Sequence, residues 1–390
     1  MVKNLYACKY APAFGYDDPL STIGRIFWQW SEPDRYGFLN EYSPYNFKSM
    51  KTDLPTGKKF GLDFREICLN RAREIIVSAS GKKICVLWSG GVDSTAIVCA
   101  LLMAGVDPKQ LILAHTHMSV REYPYFFLLM KEKLKIKSLQ YSWSLSLKQY
   151  ETMGPDVLFV TGWCADQLFG SNVNQRYPEL YRIDWKNGFK KMIKDRDIKG
   201  EASDKQIDEN LYKFGVYADK IGLPIKYTCE ALWLFNFAIK WSHVSMDLKL
   251  TLTDSYQKEN VINFYEDMDF QEWSIEHYQE FYLHNQSTDV ANYKRPLKEL
   301  IYEYTKDKAY LENKGKVNSW CSAVARIQYS PFCILDDEGY HHYDLLAETE
   351  ASIKYTELLD KQDANRRYYL KDYLKEVVDI ERFLAVEKRK

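Results

Sequence analysis

Between residues 60 and 163 the apolar positions change period several times, and each change marks an element. In FGLDFREICLNRAREIIVSA (60–79) they fall at Phe64, Ile67, Cys68, Ala72, Ile75 and Ile76, the three-and-four spacing that lines one face of a helix. KKICVLW (82–88) is instead an apolar run bounded by Gly81 and by Ser89-Gly90-Gly91, and it predicts a buried strand. STAIVCALLMAG (94–105) predicts the next helix, ended by Gly105. QLILAHTH (110–117), SLQYSWSL (138–145) and PDVLFVTGW (155–163) predict further strands, and YPYFFLLMKEKL (123–134) and LKQYETM (147–153) predict helices between them. Strands that alternate with helices at this spacing imply parallel βαβ units with right-handed crossovers. The expected fold class is α/β, a parallel sheet of about five strands with helices on both faces. Ligands collect at the carboxyl ends of the strands in such sheets. The turns after Trp88 and around Gly162 both fall there.

The pattern changes near residue 185. NLYKFGVYADKI, ALWLFNFAIKWSHVSM, QEWSIEHYQEFYLHN and RPLKELIYEYTKD read as helices, and FCILDDEGYHHYDL (332–345) reads as a hairpin. The chain therefore divides into an aromatic, proline-containing extension (1–60), a nucleotide-binding α/β region (61–185), a helical region (186–330) and a hairpin with a charged helical tail (331–390). In the extension, Trp28 and Trp30 are expected to dock against the core.

Composition narrows the function classes. A formal net charge of −1 gives no global basic field, so unspecific nucleic-acid binding is not expected, while a local basic groove stays open. The eight cysteines show no Cys-x-x-Cys spacing, which argues against zinc ribbons, dithiol redox sites and cysteine-bound clusters and for buried reduced thiols in a cytoplasmic protein. The pair His115 and His117 at a strand end lacks an evident third ligand. MVKNLYACKY does not read as a signal peptide, and no window approaches the roughly 18 apolar residues of a membrane span.

The chemistry concentrates in the break ICVLWSGGVDSTAIVCALL (84–102). A strand that feeds a glycine turn and opens a helix gathers backbone N–H groups and a helix N-terminus around one point, which attracts phosphate. Gly90 and Gly91 permit close approach, and Ser89 and Ser94 offer hydroxyl donors. Asp93 is a carboxylate beside an anion site, an arrangement that suits an intervening Mg²⁺. The alternative at this level is a glycine turn with Asp93 or Ser94 as an ordinary helix cap.

Ser89-Gly90-Gly91-Val92-Asp93-Ser94 resembles the pyrophosphate-loop signature SGGxDS of the ATP pyrophosphatases, which cleave ATP between the α and β phosphates and leave AMP on a substrate oxygen. A second string, Val160-Thr161-Gly162-Trp163-Cys164-Ala165-Asp166-Gln167-Leu168-Phe169-Gly170, is similar to a motif of the asparagine synthetase synthetase domain. The resemblance spans roughly residues 60–330 and implies the HUP-like parallel sheet of the PP-loop ATP pyrophosphatase fold. It implies ATP and Mg²⁺, with Ser89, Gly90, Gly91 and Ser94 cradling pyrophosphate and Asp93 and Asp166 holding the metal. Leu87, Trp88, Thr161 and Gly162 would line the adenine and ribose side. Lys294, in Tyr293-Lys294-Arg295-Pro296-Leu297-Lys298, resembles the phosphate-binding lysine of the family helix K-x-x-L-R, and Lys314 resembles a later lysine that stabilises the charged transition states. Lys306, Lys308 and Lys316 compete for that second role.

The implied enzyme is a carbon–nitrogen ligase that adenylates a carboxylate and forms an amide with ammonia or an amine. Val2 follows Met1 where a glutaminase would expose its nucleophilic cysteine, so nitrogen is expected from ammonia, an amine substrate or a separate protein. The acceptor side departs from the family: Trp163 and Gln167 stand where acidic residues are usual, and Val261 where an arginine precedes the segment matching Asn263-Phe264-Tyr265-Glu266. Two other readings therefore stay open, adenylation of a nucleobase carbonyl and a nucleotide-binding scaffold without catalysis. Cys164 is a further candidate nucleophile, with a buried thiol in place of glycine as its alternative.

Overall fold

Apolar runs in the centre of the chain become strands buried on both sides, and their alternation sorts them onto two sheet faces. The computed structural model describes residues 5–8, 35–36, 54–57, 61–115, 117–140, 153–170, 177–196, 202–241, 244–245, 260–280, 292–314 and 332–334. After β1 (Leu5–Cys8) come helix α1 (Phe64–Ala79), β2 (Lys83–Leu87), α2 (Val92–Met103), β3 (Leu111–His115) and α3 (His117–Glu122). The chain continues through α4 (Pro124–Leu128), extended by a π-helical turn (Leu129–Lys133), then β4 (Lys137–Gln140), β5 (Val157–Thr161) and α5 (Ala165–Phe169). Helices α6 (Trp185–Arg196), α7 (Asp204–Lys220) and α8 (Thr228–Leu234) follow. Next are β6 (Val261–Asn263), α9 (Met268–His277), α10 (Arg295–Thr305), α11 (Lys308–Asn313) and β7 (Phe332–Ile334).

The main sheet has five strands in the order β4-β3-β2-β5-β6, and every pairing in it is parallel. The fold is α/β with a HUP-like, Rossmann-type sheet. Register fixes the two faces: Ile84 lies beside Leu111 and Leu158, and Cys85 beside Ile112 and Phe159. Ile84, Val86, Leu111, Leu113, Leu158 and Val160 belong to the large core, together with buried residues of α1, α2 and α10. Cys85, Ile112, Ala114, Val157, Phe159 and Val261 form the opposite face, with Leu87, Leu139, Met153 and Trp163 packed on it. A residue pointing to each face in turn is the period-2 signature of the pleat, masked in the sequence because both faces are apolar.

Strand order places the topological switch between β2 and β5. From β2 the chain runs outward through β3 and β4, then returns across the sheet to β5 and β6. The carboxyl ends of β2 and β5 therefore open side by side, and both glycine turns leave from that point.

Two expectations change. The strand predicted over 110–117 ends at His115, and His117 opens α3 instead. The fifth strand, β6, comes from the region that reads as helical; only three residues long, it is too short for periodicity to reveal. Phe332–Ile334 pairs antiparallel with Leu5–Cys8, and the rest of the hairpin expected over 332–345 lies outside the described residues. Residues 147–152 of the helix expected over 147–153, Trp28, Trp30 and the tail after 350 also lie outside the described residues.

One residue of the extension is seated in the core. Arg35 is buried, donates its backbone N–H to the Ala238 carbonyl and hydrogen-bonds Gln271 through its guanidinium, which lies 4.4 Å from the Trp241 ring centroid. Burial lowers its pKa to about 10, still far above neutrality, so the cation persists.

Candidate functional site

The turn after β2 is closed by its own side chains. Ser94 Oγ accepts from the Ser89 backbone N–H at 3.0 Å and lies 3.0 Å from Ser89 Oγ, and the Gly91 N–H donates to Ser89 Oγ at 3.3 Å. Trp88, fully buried, donates its indole N–H to Thr95 Oγ1 at 3.0 Å and pins the first turn of α2 to the strand end. Gly90 adopts φ +79°, in the left-handed region. A Cβ there would overlap the Ser119 carbonyl oxygen and come within 2.8 Å of Glu122 Cβ. Gly91, at φ −76°, is the N-cap of α2 and carries no side-chain cap. The first N–H groups of a three-turn helix thus meet a glycine turn, an anion-favouring arrangement.

The second loop closes on the first. Gly162 packs so closely that a Cβ would lie 3.2 Å from both Asp93 Cβ and the Ser94 nitrogen. Thr161, buried, donates to Asn263 Oδ1 at 2.8 Å and accepts from the Trp163 N–H at 3.2 Å, linking β5, β6 and the turn. Cys164 stands at φ +72° as the N-cap of α5, a conformation that favours glycine, and its thiol is buried.

Asp93 and Asp166, one from each loop, converge on a single cation. Lys294 Nζ lies 2.5 and 2.7 Å from the two Asp93 carboxylate oxygens and 2.6 Å from Asp166 Oδ1. Lys294 is the N-cap of α10, in a left-handed conformation (φ +53°), with Pro296 in the first turn fixing the direction of the helix. Its side chain is 3% exposed, whereas the carboxylates are 27% and 40% exposed, so the cation lies beneath the pair and the carboxylates form the open side. Burial by itself would lower the ammonium pKa; Asp166 and Asp93 outweigh it and hold Lys294 above its ordinary value.

Lys314 sits on the opposite flank. It is buried and pairs with Glu122 at 2.7 Å, and Glu122 itself packs against Gly90. Lys314 caps α11 with its backbone N–H on the Tyr310 carbonyl. Tyr310 stacks on Tyr123 at 4.1 Å between centroids, and Tyr123 donates to Asp307, the α11 N-cap, at 3.0 Å. The loop is therefore flanked by two buried ammonium groups, each balanced by carboxylate.

Of the residues expected from sequence, Ser89, Gly90, Gly91, Asp93, Ser94, Thr161, Gly162, Asp166 and Lys294 meet at the β2–β5 switch, and Lys314 reaches it through Glu122. Leu87 lies on the second sheet face with Trp163, beside rather than inside the polar cluster. Lys306 caps α10 and pairs its backbone with Tyr302, and Lys308 pairs with Glu312 on the surface; Lys316 lies outside the described residues. Gln167 is buried, and its Oε1 has no hydrogen-bond partner among the described residues. His115 is buried edge-on to Phe127 at 4.7 Å.

Sequence reasoning missed Glu122, Tyr293 and Tyr265. Tyr293 donates to Asp166 at 3.2 Å, and Tyr265 donates to the Asp93 backbone carbonyl at 2.8 Å. Burial first pushes both phenols well above their ordinary pKa, reinforced at Tyr265 by Cys68 and then Asp93 and at Tyr293 by Asp166 and then Asp93, so they remain donors. Tyr293 was findable as the neighbour of Lys294; Glu122 carries no motif at all.

The donor set fits a small divalent cation bound with phosphate. Mg²⁺ is commonly held by one or two carboxylates, its other positions going to water and substrate phosphates. Asp93 and Asp166 already converge on one positive charge, and among the described residues no group of three or more His, Cys, Asp and Glu could hold a metal. No family model and no curated protein matches this chain.

Proposed function

We propose that the chain is a Mg²⁺- and ATP-dependent ligase of the asparagine synthetase-like, PP-loop kind, which adenylates a carboxylate, releases pyrophosphate and forms an amide with ammonia or an amine. The observation that carries this reading is the meeting of Asp93 and Asp166 from two separate loops on Lys294, at the carboxyl ends of β2 and β5.

ATP is the substrate. The turn at Ser89–Ser94 offers backbone N–H groups, two hydroxyls and a helix N-terminus to its β and γ phosphates. Asp93 and Asp166 would hold Mg²⁺, which when bound supplies charge neutralisation to the phosphates. Lys294 and Lys314 place positive charge on two flanks of the turn, where negative charge grows as the α–β bond breaks. Because both lysines are buried and braced, their charges are oriented before the reaction begins, which lowers the reorganisation it requires. Trp163, packed on the second sheet face, stands where the family has an acidic residue, and aspartate itself is therefore not the favoured acceptor.

The test is pyrophosphate and AMP release from ATP with Mg²⁺ across carboxylates, nucleosides and amines. A carboxylate dependence supports the ligase, and a nucleoside dependence moves the acceptor to a nucleobase carbonyl. Formation of ADP in place of AMP sinks both. Asp93→Ala is expected to lower AMP formation by about a hundredfold or more; full activity in that variant would overturn the assignment of the site.

A further inference from the structure

Charge balance at the two loops has a consequence for how ligands enter. Lys294 occupies the point on which both carboxylates converge, within 2.7 Å of each, and its side chain is 3% exposed. Its backbone is fixed at the N-cap of α10, which packs in the large core through Leu297, Leu300 and Ile301. The ammonium is thus held from below while the carboxylates face outward.

We propose that Lys294 is a resident counter-cation for Asp93 and Asp166, so that the site takes a divalent metal and a polyphosphate together and discriminates against free metal. A metal that binds both carboxylates displaces the ammonium from them. Alone, it would leave a buried cation facing a second cation, which is costly in a site of low dielectric. A polyphosphate arriving with the metal supplies new anionic partners for Lys294, and the exchange then conserves charge pairing. Metal and polyphosphate accordingly raise one another's affinity by the same factor. The inference rests on the ATP reading only for the identity of the polyphosphate.

Mn²⁺ binding to the full-length chain, followed by electron paramagnetic resonance, tests it without turnover. Wild type is expected to bind Mn²⁺ alone weakly, and Lys294→Met to bind it at least about tenfold more tightly, because the competing charge is gone. Lys294→Arg, which keeps the cation, should behave as wild type, and Asp93→Asn should lose the gain when combined with Lys294→Met. Lys294→Gln, uncharged but able to hydrogen-bond both carboxylates, is the second variant should Lys294→Met not fold by circular dichroism. α,β-Methylene-ATP should raise the wild-type Mn²⁺ affinity by at least about tenfold and that of Lys294→Met by less. Equal Mn²⁺ affinity in wild type and both uncharged variants would overturn the counter-cation role, even if ATP is turned over. A gain in the uncharged variants with no response to the nucleotide would keep that role and remove ATP as the polyphosphate.

Discussion

Gly90 and Gly91 are adjacent and alike in sequence but not in what they do. Gly90 holds a left-handed dihedral, and its missing Cβ is the space taken by Ser119 and Glu122. Gly91 has an ordinary φ, and a Cβ there would meet Ser89 Oγ at 3.3 Å and Glu122 Oε1 at 4.0 Å, both side-chain atoms. Gly90→Ala is expected to cost at least about 2 kcal/mol, from the left-handed strain and the backbone overlap combined. Gly91→Ala should cost less than about 1 kcal/mol of stability, the loss of a favourable N-cap residue being its main term. Urea denaturation of the two variants separates them; equal losses would mean that the turn is not held as described. Cys164 is the converse case, a side chain tolerated in a glycine-like conformation because its small thiol is packed away.

At the scale of elements, α1 and α10 both cover the same sheet face, and one surface contact ties them. Arg65 donates from Nε and Nη2 to the two Glu303 oxygens, each at 2.7 Å. The hydrogen bond from Arg65 holds the Glu303 carboxyl below its ordinary value of 4.5. A lowered carboxyl pKa adds stability that is complete above 4.5 and disappears as pH falls through the folded-state value. Both side chains are more than a third exposed, so screening keeps the contribution below about 1 kcal/mol. Glu303→Gln should therefore lower stability slightly at pH 7 in low salt, and the difference from wild type should shrink in acid and in high salt. Thermal melts at pH 7 and pH 3 check this; a difference that grows toward pH 3 would contradict it. Helix α11 shows the other way elements are joined, by the buried stack of Tyr123 on Tyr310 that seats Lys314 beside the loop.

Across the whole molecule, burial sets the state of the thiols. Cys68, Cys85, Cys99, Cys164 and Cys229 are buried, and none of them is in a disulfide. Burial pushes the Cys85 and Cys229 thiols up to about 12 and those of Cys68 and Cys99 well above their ordinary value. In the native chain these four are expected to resist a thiolate-selective reagent at pH 8 and to react together upon unfolding. Peptide mapping of the labelled positions decides it, and rapid labelling of Cys85 in the folded protein would place it at a more open sheet face than the one described. No described helix is long and apolar enough to cross a membrane.

The α/β class, the strands at 83–87 and 157–161 and the loop at 89–94 were legible in the linear chain, because each depends on residues within one turn or one strand. Local sterics and apolar periodicity act over a few residues, and a sequence displays them directly. The place of β6 at the sheet edge, the burial of Arg35 among Gln271, Trp241 and Ala238, and the contact of Glu122 with Lys314 were not legible. Those contacts join residues about 100 to 240 positions apart that carry no shared pattern, and they exist only once the strand order has brought the chain back across the sheet. Sequence alone thus pointed to the loop proposed to hold phosphate. Tertiary structure decided which charges face one another across it, since electrostatic pairing depends on distance and burial in space and not on spacing along the chain.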